Sequence, residues 1–79
     1  MENLNSELID YIKLMRFKSK KNQDQVAKIL DITRQTYSLW ENNPIKLSLE
    51  DLIKVGNAID TDILIFFEEY VAKRNKEGV

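Results

Sequence analysis

Residues 22–42, NQDQVAKILDITRQTYSLWEN, decide the fold. Two short helical patterns stand back to back, divided by Asp31-Ile32-Thr33. Val26, Ala27 and Leu30 give the first an inner face, and Tyr37 and Trp40 do the same for the second. Ile32 can plug the corner between them, and Ala27 is small where the second helix must cross closely. Thr33 is an N-cap residue whose side-chain oxygen can accept a free N–H of the turn that follows.

Working outward, the chain reads as five helices with short joints and no strand. The first spans about Ser6 to Phe17, with Leu8, Ile9, Ile12 and Met15 inside at a 3.6-residue period. The second spans Gln23 to Leu30, opened by a variant capping box, Asn22…Gln25. The third spans Arg34 to Asn42. Asn43-Pro44 ends it, because a residue before proline is pushed out of the helical region. Ser48…Asp51 opens the fourth, which carries Leu49, Leu52, Ile53 and Val55 to about Ile59. After Asp60-Thr61-Asp62 the fifth runs from Ile63 to about Arg74. With 79 residues there is room for one modest core, so one domain over 1–79 is expected, its core at about 6–74 between short flexible ends.

Two helices joined at a sharp angle by a three- or four-residue turn form a helix-turn-helix, whose second helix enters the DNA major groove. The spacing of Gln23, Ala27, Leu30, Ile32, Thr33, Tyr37 and Trp40-Glu41-Asn42 also resembles the Cro/cI-type (lambda-repressor-like, XRE) helix-turn-helix family, from about Leu8 to Phe66. That resemblance implies a compact all-α, five-helix domain. It implies a sequence-specific transcriptional regulator, a repressor in the first instance, bound as a homodimer to a near-palindromic operator in double-stranded DNA. It also implies a cytoplasmic protein of bacterial or phage origin. Three positions depart from the family pattern. Asp31 and Asn43 stand where turn glycines are usual, and both residue types tolerate left-handed backbone. Lys20-Lys21 replace a glycine-apolar pair, and Lys20 fits that exit from the first helix least well.

The net charge of −1 argues weakly against a nucleic-acid binder, but its distribution argues the other way. Residues 1–12 carry −3, residues 13–34 carry +5 and residues 35–79 carry −3. Such a molecule can present its basic middle to phosphates and turn its acidic ends away. The absence of cysteine and histidine removes disulfides, thiolate metal sites and the commonest general base, so no cofactor and no enzymatic activity are expected. The longest apolar run, Ile63 to Phe67, is far too short to span a bilayer, and no signal-peptide pattern precedes it.

With Tyr37 and Trp40 inward, Thr33, Arg34, Gln35, Ser38 and Leu39 form the base-contacting face. Arginine suits guanine, glutamine suits adenine, and Thr33 and Leu39 have apolar surface for a thymine methyl. Leu39 alternatively folds back onto the 43–47 loop. Gln23, at the positive end of the second helix, is expected to meet a phosphate, as are Asn22, Asn42 and Asn43. Lys46 is either a phosphate contact or a solvated loop residue. The family resemblance implies an ion pair between Arg16 and Glu41. Leu64, Ile65 and Val71 fall outside the stripe formed by Ile63, Phe66, Phe67 and Tyr70, which makes the fifth helix the expected dimer interface. The other reading is a protein-interaction module of the same fold, an antitoxin or antirepressor-like partner whose third or fifth helix binds protein.

Overall fold

A computed structural model describes residues 3–77, with side chains described through Asn75. Of the short ends expected outside a core at about 6–74, residues 1–2 and 78–79 lie outside the described residues, whereas 4–5 and 75–77 belong to the first and last helices. All regular structure among them is helical: α1 (Leu4–Lys18), α2 (Gln23–Leu30), α3 (Arg34–Asn42), a 3-10 turn (Pro44–Lys46), α4 (Leu49–Ala58) and α5 (Ile63–Glu77). Each α-helix starts where a short polar side chain can take up a free N–H. Asn3 accepts from Ser6, Thr33 from Thr36, Ser48 from Asp51 and Asp62 from Leu64. At α2 the capping box closes both ways, Gln25 N–H to Asn22 Oδ1 and Asn22 N–H to Gln25 Oε1, each at 2.8 Å.

Three helix ends share one device. After α1, α2 and α4 a residue takes left-handed backbone: Lys20 at φ 61°, Asp31 at 58° and Asp60 at 60°. The next N–H reaches back five residues in each case, Lys21 to Arg16, Ile32 to Ala27 and Thr61 to Gly56. This is the Schellman arrangement, which satisfies carbonyls that the helix leaves unpaired. Lys20 therefore adopts the glycine geometry despite its side chain. Asn43 does not: its φ is −148° and ψ 60°. Pro44 steers it away from helical backbone, and a side-chain clamp described below holds it there.

The core comes from every α-helix: Leu8 and Ile12, Val26 and Ala27, Tyr37, Leu52 and Val55, then Ala58 and Ile59, then Ile63 and Phe66. Met15 packs against it only partly and Ile9 is half-buried. On α4 the inner face is Leu52, Val55, Gly56 and Ala58, and Leu49 and Ile53 stand exposed at its edge. The α4–α5 corner is tied back twice, once to α1 and once to the α1–α2 turn. Tyr11 Oη and Thr61 Oγ1 are 2.7 Å apart, and Lys21 Nζ meets Asp60 Oδ2 at 2.9 Å. The Tyr11 ring also lies 4.9 Å from that of Phe66. Beyond Tyr70, every side chain through Asn75 is exposed.

Two glycine exchanges should move stability in opposite directions. Lys20→Gly removes the cost of a side chain in left-handed backbone, ~1 kcal/mol, partly offset by the greater freedom of unfolded glycine. Gly56→Ala places a methyl 3.0 Å from Thr61 O and 3.2 Å from Ile63 Cβ. Because one of those neighbours is backbone, this change should destabilise by ~1–3 kcal/mol despite alanine's better helix propensity. Urea unfolding midpoints of the two variants check both signs.

Candidate nucleic-acid interface

α3 is amphipathic about a narrow buried seam. Tyr37 is fully buried, Glu41 almost so and Trp40 partly. Opposite them, Gln35, Leu39 and Asn42 are exposed, with Thr33 exposed at the N-cap, Arg34 exposed in the first turn nearer the seam and Ser38 half-buried at the flank. Successive residues turn by about 100°, which puts Gln35, Leu39 and Asn42 nearest the centre of the outward face. Leu39 is 71% exposed, so it does not fold back onto the 43–47 loop.

The feature that holds α3 in place is Glu41, a carboxylate 1% exposed. Arg16 grips it bidentately from α1, Nε to Oε2 at 2.8 Å and Nη2 to Oε1 at 2.9 Å. The remaining guanidinium arm, Nη1, donates to the carbonyl of Lys21 at 3.2 Å, which ties in the α1–α2 turn. Gln23, at the start of α2, donates from Nε2 to Glu41 Oε1 at 3.2 Å. Three helices thus converge on one carboxylate. Gln23 is half-buried there, and its amide is an internal strut as well as a group at the α2 N-terminus.

Burial alone would raise the Glu41 carboxyl. The Arg16 hydrogen bonds, the nearby Tyr37 hydroxyl and the Gln23 amide outweigh it and hold the group below the usual carboxylate range. The hydrogen bond to Glu41 raises Arg16 further, so the pair stays charged. Burial, with the adjacent Glu41, pushes the Tyr37 phenol far above its ordinary value. That hydroxyl lies close to the carboxylate without closing a well-formed hydrogen bond. It is the buried side-chain polar atom left unpartnered among the described residues.

The remaining residues expected at phosphates sit at the two ends of the motif. Asn22 is exposed, its Oδ1 occupied by the α2 cap. Asn42 and Lys46 are exposed. Asn43 is half-buried, and its Oδ1 accepts from Asn5 Nδ2 at 3.1 Å, while Asn5 Oδ1 accepts the Ile45 N–H at 3.1 Å. Asn5 is therefore a clamp from α1 onto the loop after α3. Nothing local in the sequence marks it, since its partners lie 38 and 40 residues away. Leu64, Ile65 and Val71 are 45%, 48% and 53% exposed on α5, remote in sequence from this network.

A family model described as helix-turn-helix matches residues 12–66, and the chain belongs to that family, of the lambda-repressor-like (XRE) type. It is a DNA-binding transcription regulator of that class. Comparison with curated proteins and with solved structures gave no match. No helix among the described residues is long and apolar enough to cross a membrane.

The buried pair sets two expectations. Arg16→Ala or Glu41→Ala leaves a buried charge or its partner unmatched and should cost ~3–5 kcal/mol. The double variant should cost less than the sum, with a coupling of ~1–3 kcal/mol. Because Glu41 is depressed in the folded protein, its contribution is present above the usual carboxylate range and lost as pH falls through the lower folded value. Denaturation midpoints measured from neutral pH downward should show an acid limb that is shallower in Glu41→Gln.

Proposed function

We propose that the protein is a sequence-specific repressor of Cro/cI type, acting by occupancy as a homodimer on a near-palindromic operator. Each subunit lays α3 in a major groove. Arg34 and Gln35 take guanine and adenine edges, Ser38 adds a polar contact, and Thr33 and Leu39 meet thymine methyls. Asn22 and Gln23 at the α2 N-terminus, with Asn42, Asn43 and Lys46 beyond α3, grip the flanking phosphates. The observation that supports this best is the outward face of α3. It combines base-reading amides and a guanidinium with one bare leucine, on a helix held from behind by a fully compensated buried carboxylate. A plain solvated helix has no use for a leucine 71% exposed at the centre of its polar face.

Dimerisation follows from information content, since one domain of this size reads only a few base pairs. The partner surface we favour is α5. Leu64, Ile65 and Val71 are half-exposed there, and Leu64 and Val71 line an open groove of about 570 Å³ together with Phe67, Glu68 and Ala72. A two-fold contact would set the same patch of each subunit against its twin.

Arg34→Ala and Gln35→Ala should each relax preference at one operator position by ~1–3 kcal/mol. Gln23→Ala should weaken all duplexes alike and also destabilise the fold through Glu41. Replacing thymine by deoxyuridine at the position facing Leu39 should weaken wild type and leave Leu39→Ala indifferent. Equilibrium binding to operator and random duplex at a stated salt concentration reads all of these, and equal loss on both duplexes for Arg34→Ala would reassign it to the backbone.

Sedimentation addresses assembly. Leu64→Glu should yield a folded monomer with much weaker operator binding, whereas Phe66→Glu should unfold the domain, since Phe66 packs between Tyr11 and Phe67. A wild type monomeric at high concentration, with and without DNA, would rule the homodimer out.

A further inference from the structure

The outer face of α1 carries a feature that neither the core nor the reading helix uses. Phe17 is 79% exposed, more than any other large apolar side chain among the described residues. Leu14, one helical turn before it on the same side, is 48% exposed. From Tyr11 to Gln23 the chain holds five basic residues, Lys13, Arg16, Lys18, Lys20 and Lys21, and no acidic one. Arg16 is committed to Glu41 and Lys21 to Asp60. Lys13, Lys18 and Lys20 are exposed and make no ion pair among the described residues. Beside the Phe17 ring runs an open groove of about 520 Å³, bordered by Lys18, Lys20, Asn22 and Gln25.

We infer that this face is a docking surface for an acidic protein segment bearing an apolar anchor. The charge complementarity sets the sign of the partner. Three free ammonium groups around two bare apolar side chains suit carboxylates that flank a leucine or an aromatic ring. The apolar pair decides between protein and nucleic acid. A phosphate ribbon rewards lysines but gives nothing to an exposed phenyl ring, whereas a protein anchor seated in the groove buries it. The groove shares Asn22 with the N-terminus of α2, so an occupant would lie directly beside the phosphate-binding end of the motif.

The test uses the full chain without DNA, so its result stands apart from the operator reading. The probe is a labelled synthetic peptide of glutamates with two leucines one helical turn apart, followed by fluorescence anisotropy. Saturable binding is expected, weakened about tenfold or more by Phe17→Ser or Leu14→Ser, in line with the loss of one buried apolar side chain. The triple change Lys13→Gln, Lys18→Gln and Lys20→Asn should weaken binding and flatten its salt dependence. Ile29→Ser, at an exposed apolar position on α2, should bind as wild type. Circular dichroism checks that each variant is folded. No saturable binding, equal binding of an all-glutamate peptide, or undiminished binding by both serine variants of α1 would overturn the proposal. So would a loss of random-duplex affinity in Phe17→Ser equal to its loss of peptide affinity, which would give the ring to DNA.

Discussion

A carboxylate with 1% of its surface exposed has to be compensated, and here the compensation comes from two other helices at once. Glu41 belongs to α3, Arg16 to α1 and Gln23 to the start of α2. Desolvation cancels much of what the attraction contributes, so the network is poor as a source of net stability. Its value lies in geometry. A bidentate guanidinium admits one arrangement of its partner carboxylate, and that arrangement sets how α3 stands against α1. The same arginine reaches the carbonyl of Lys21, so the turn preceding α2 is positioned by the residue that positions α3. The end of α2 expected at a phosphate and the helix expected at the bases therefore share one anchor.

A second constraint is the economy of the turns. In so short a chain, every joint must reverse direction in a few residues, and left-handed backbone is the cheapest way to do it. Glycine would be the obvious residue, yet Lys20, Asp31 and Asp60 do the work. Aspartate tolerates this geometry well, and lysine is carried into it by the two back-reaching hydrogen bonds at the end of α1. Gly56 serves a different need. It lies in a right-handed helix, where α4 passes so close to Thr61 and Ile63 that no Cβ fits comfortably. The two corners flanking the sheetless core are then stitched together by Lys21 and Asp60, each beside or at one of the left-handed residues.

Local signals carried the fold a long way. The cap residues Asn22, Thr33 and Ser48 mark their helices because capping is a matter of three or four residues, and the 3.6 period separates Tyr37 from Leu39 without any knowledge of the partner helices. What escaped depends on distant residues. Asn5 reads as an ordinary residue ahead of the first helix, yet it clamps Asn43 and Ile45 and helps deny Asn43 the left-handed backbone its residue type suggested. Ile9, Leu49 and Ile53 are apolar at positions the period could place inside, but the neighbours that would cover them are elsewhere. On the site, residue type and spacing nominate Gln23 for a phosphate, whereas its bond to Glu41 emerges only when α2 and α3 are folded together.

Charge follows the same logic of placement over total. A net charge of −1 conceals a basic segment that runs from α1 through the start of α3, between acidic ends. The measurement that tests the central reading most directly is selection of bound duplexes from a random pool by the wild-type protein at fixed, near-physiological salt. Enrichment of a short motif repeated in inverted orientation is expected, its half-site centres about 10 base pairs, or one helical turn, apart. A pool that stays random through successive rounds, or one enriched only for composition, would contradict the account of α3 as a paired, base-reading helix.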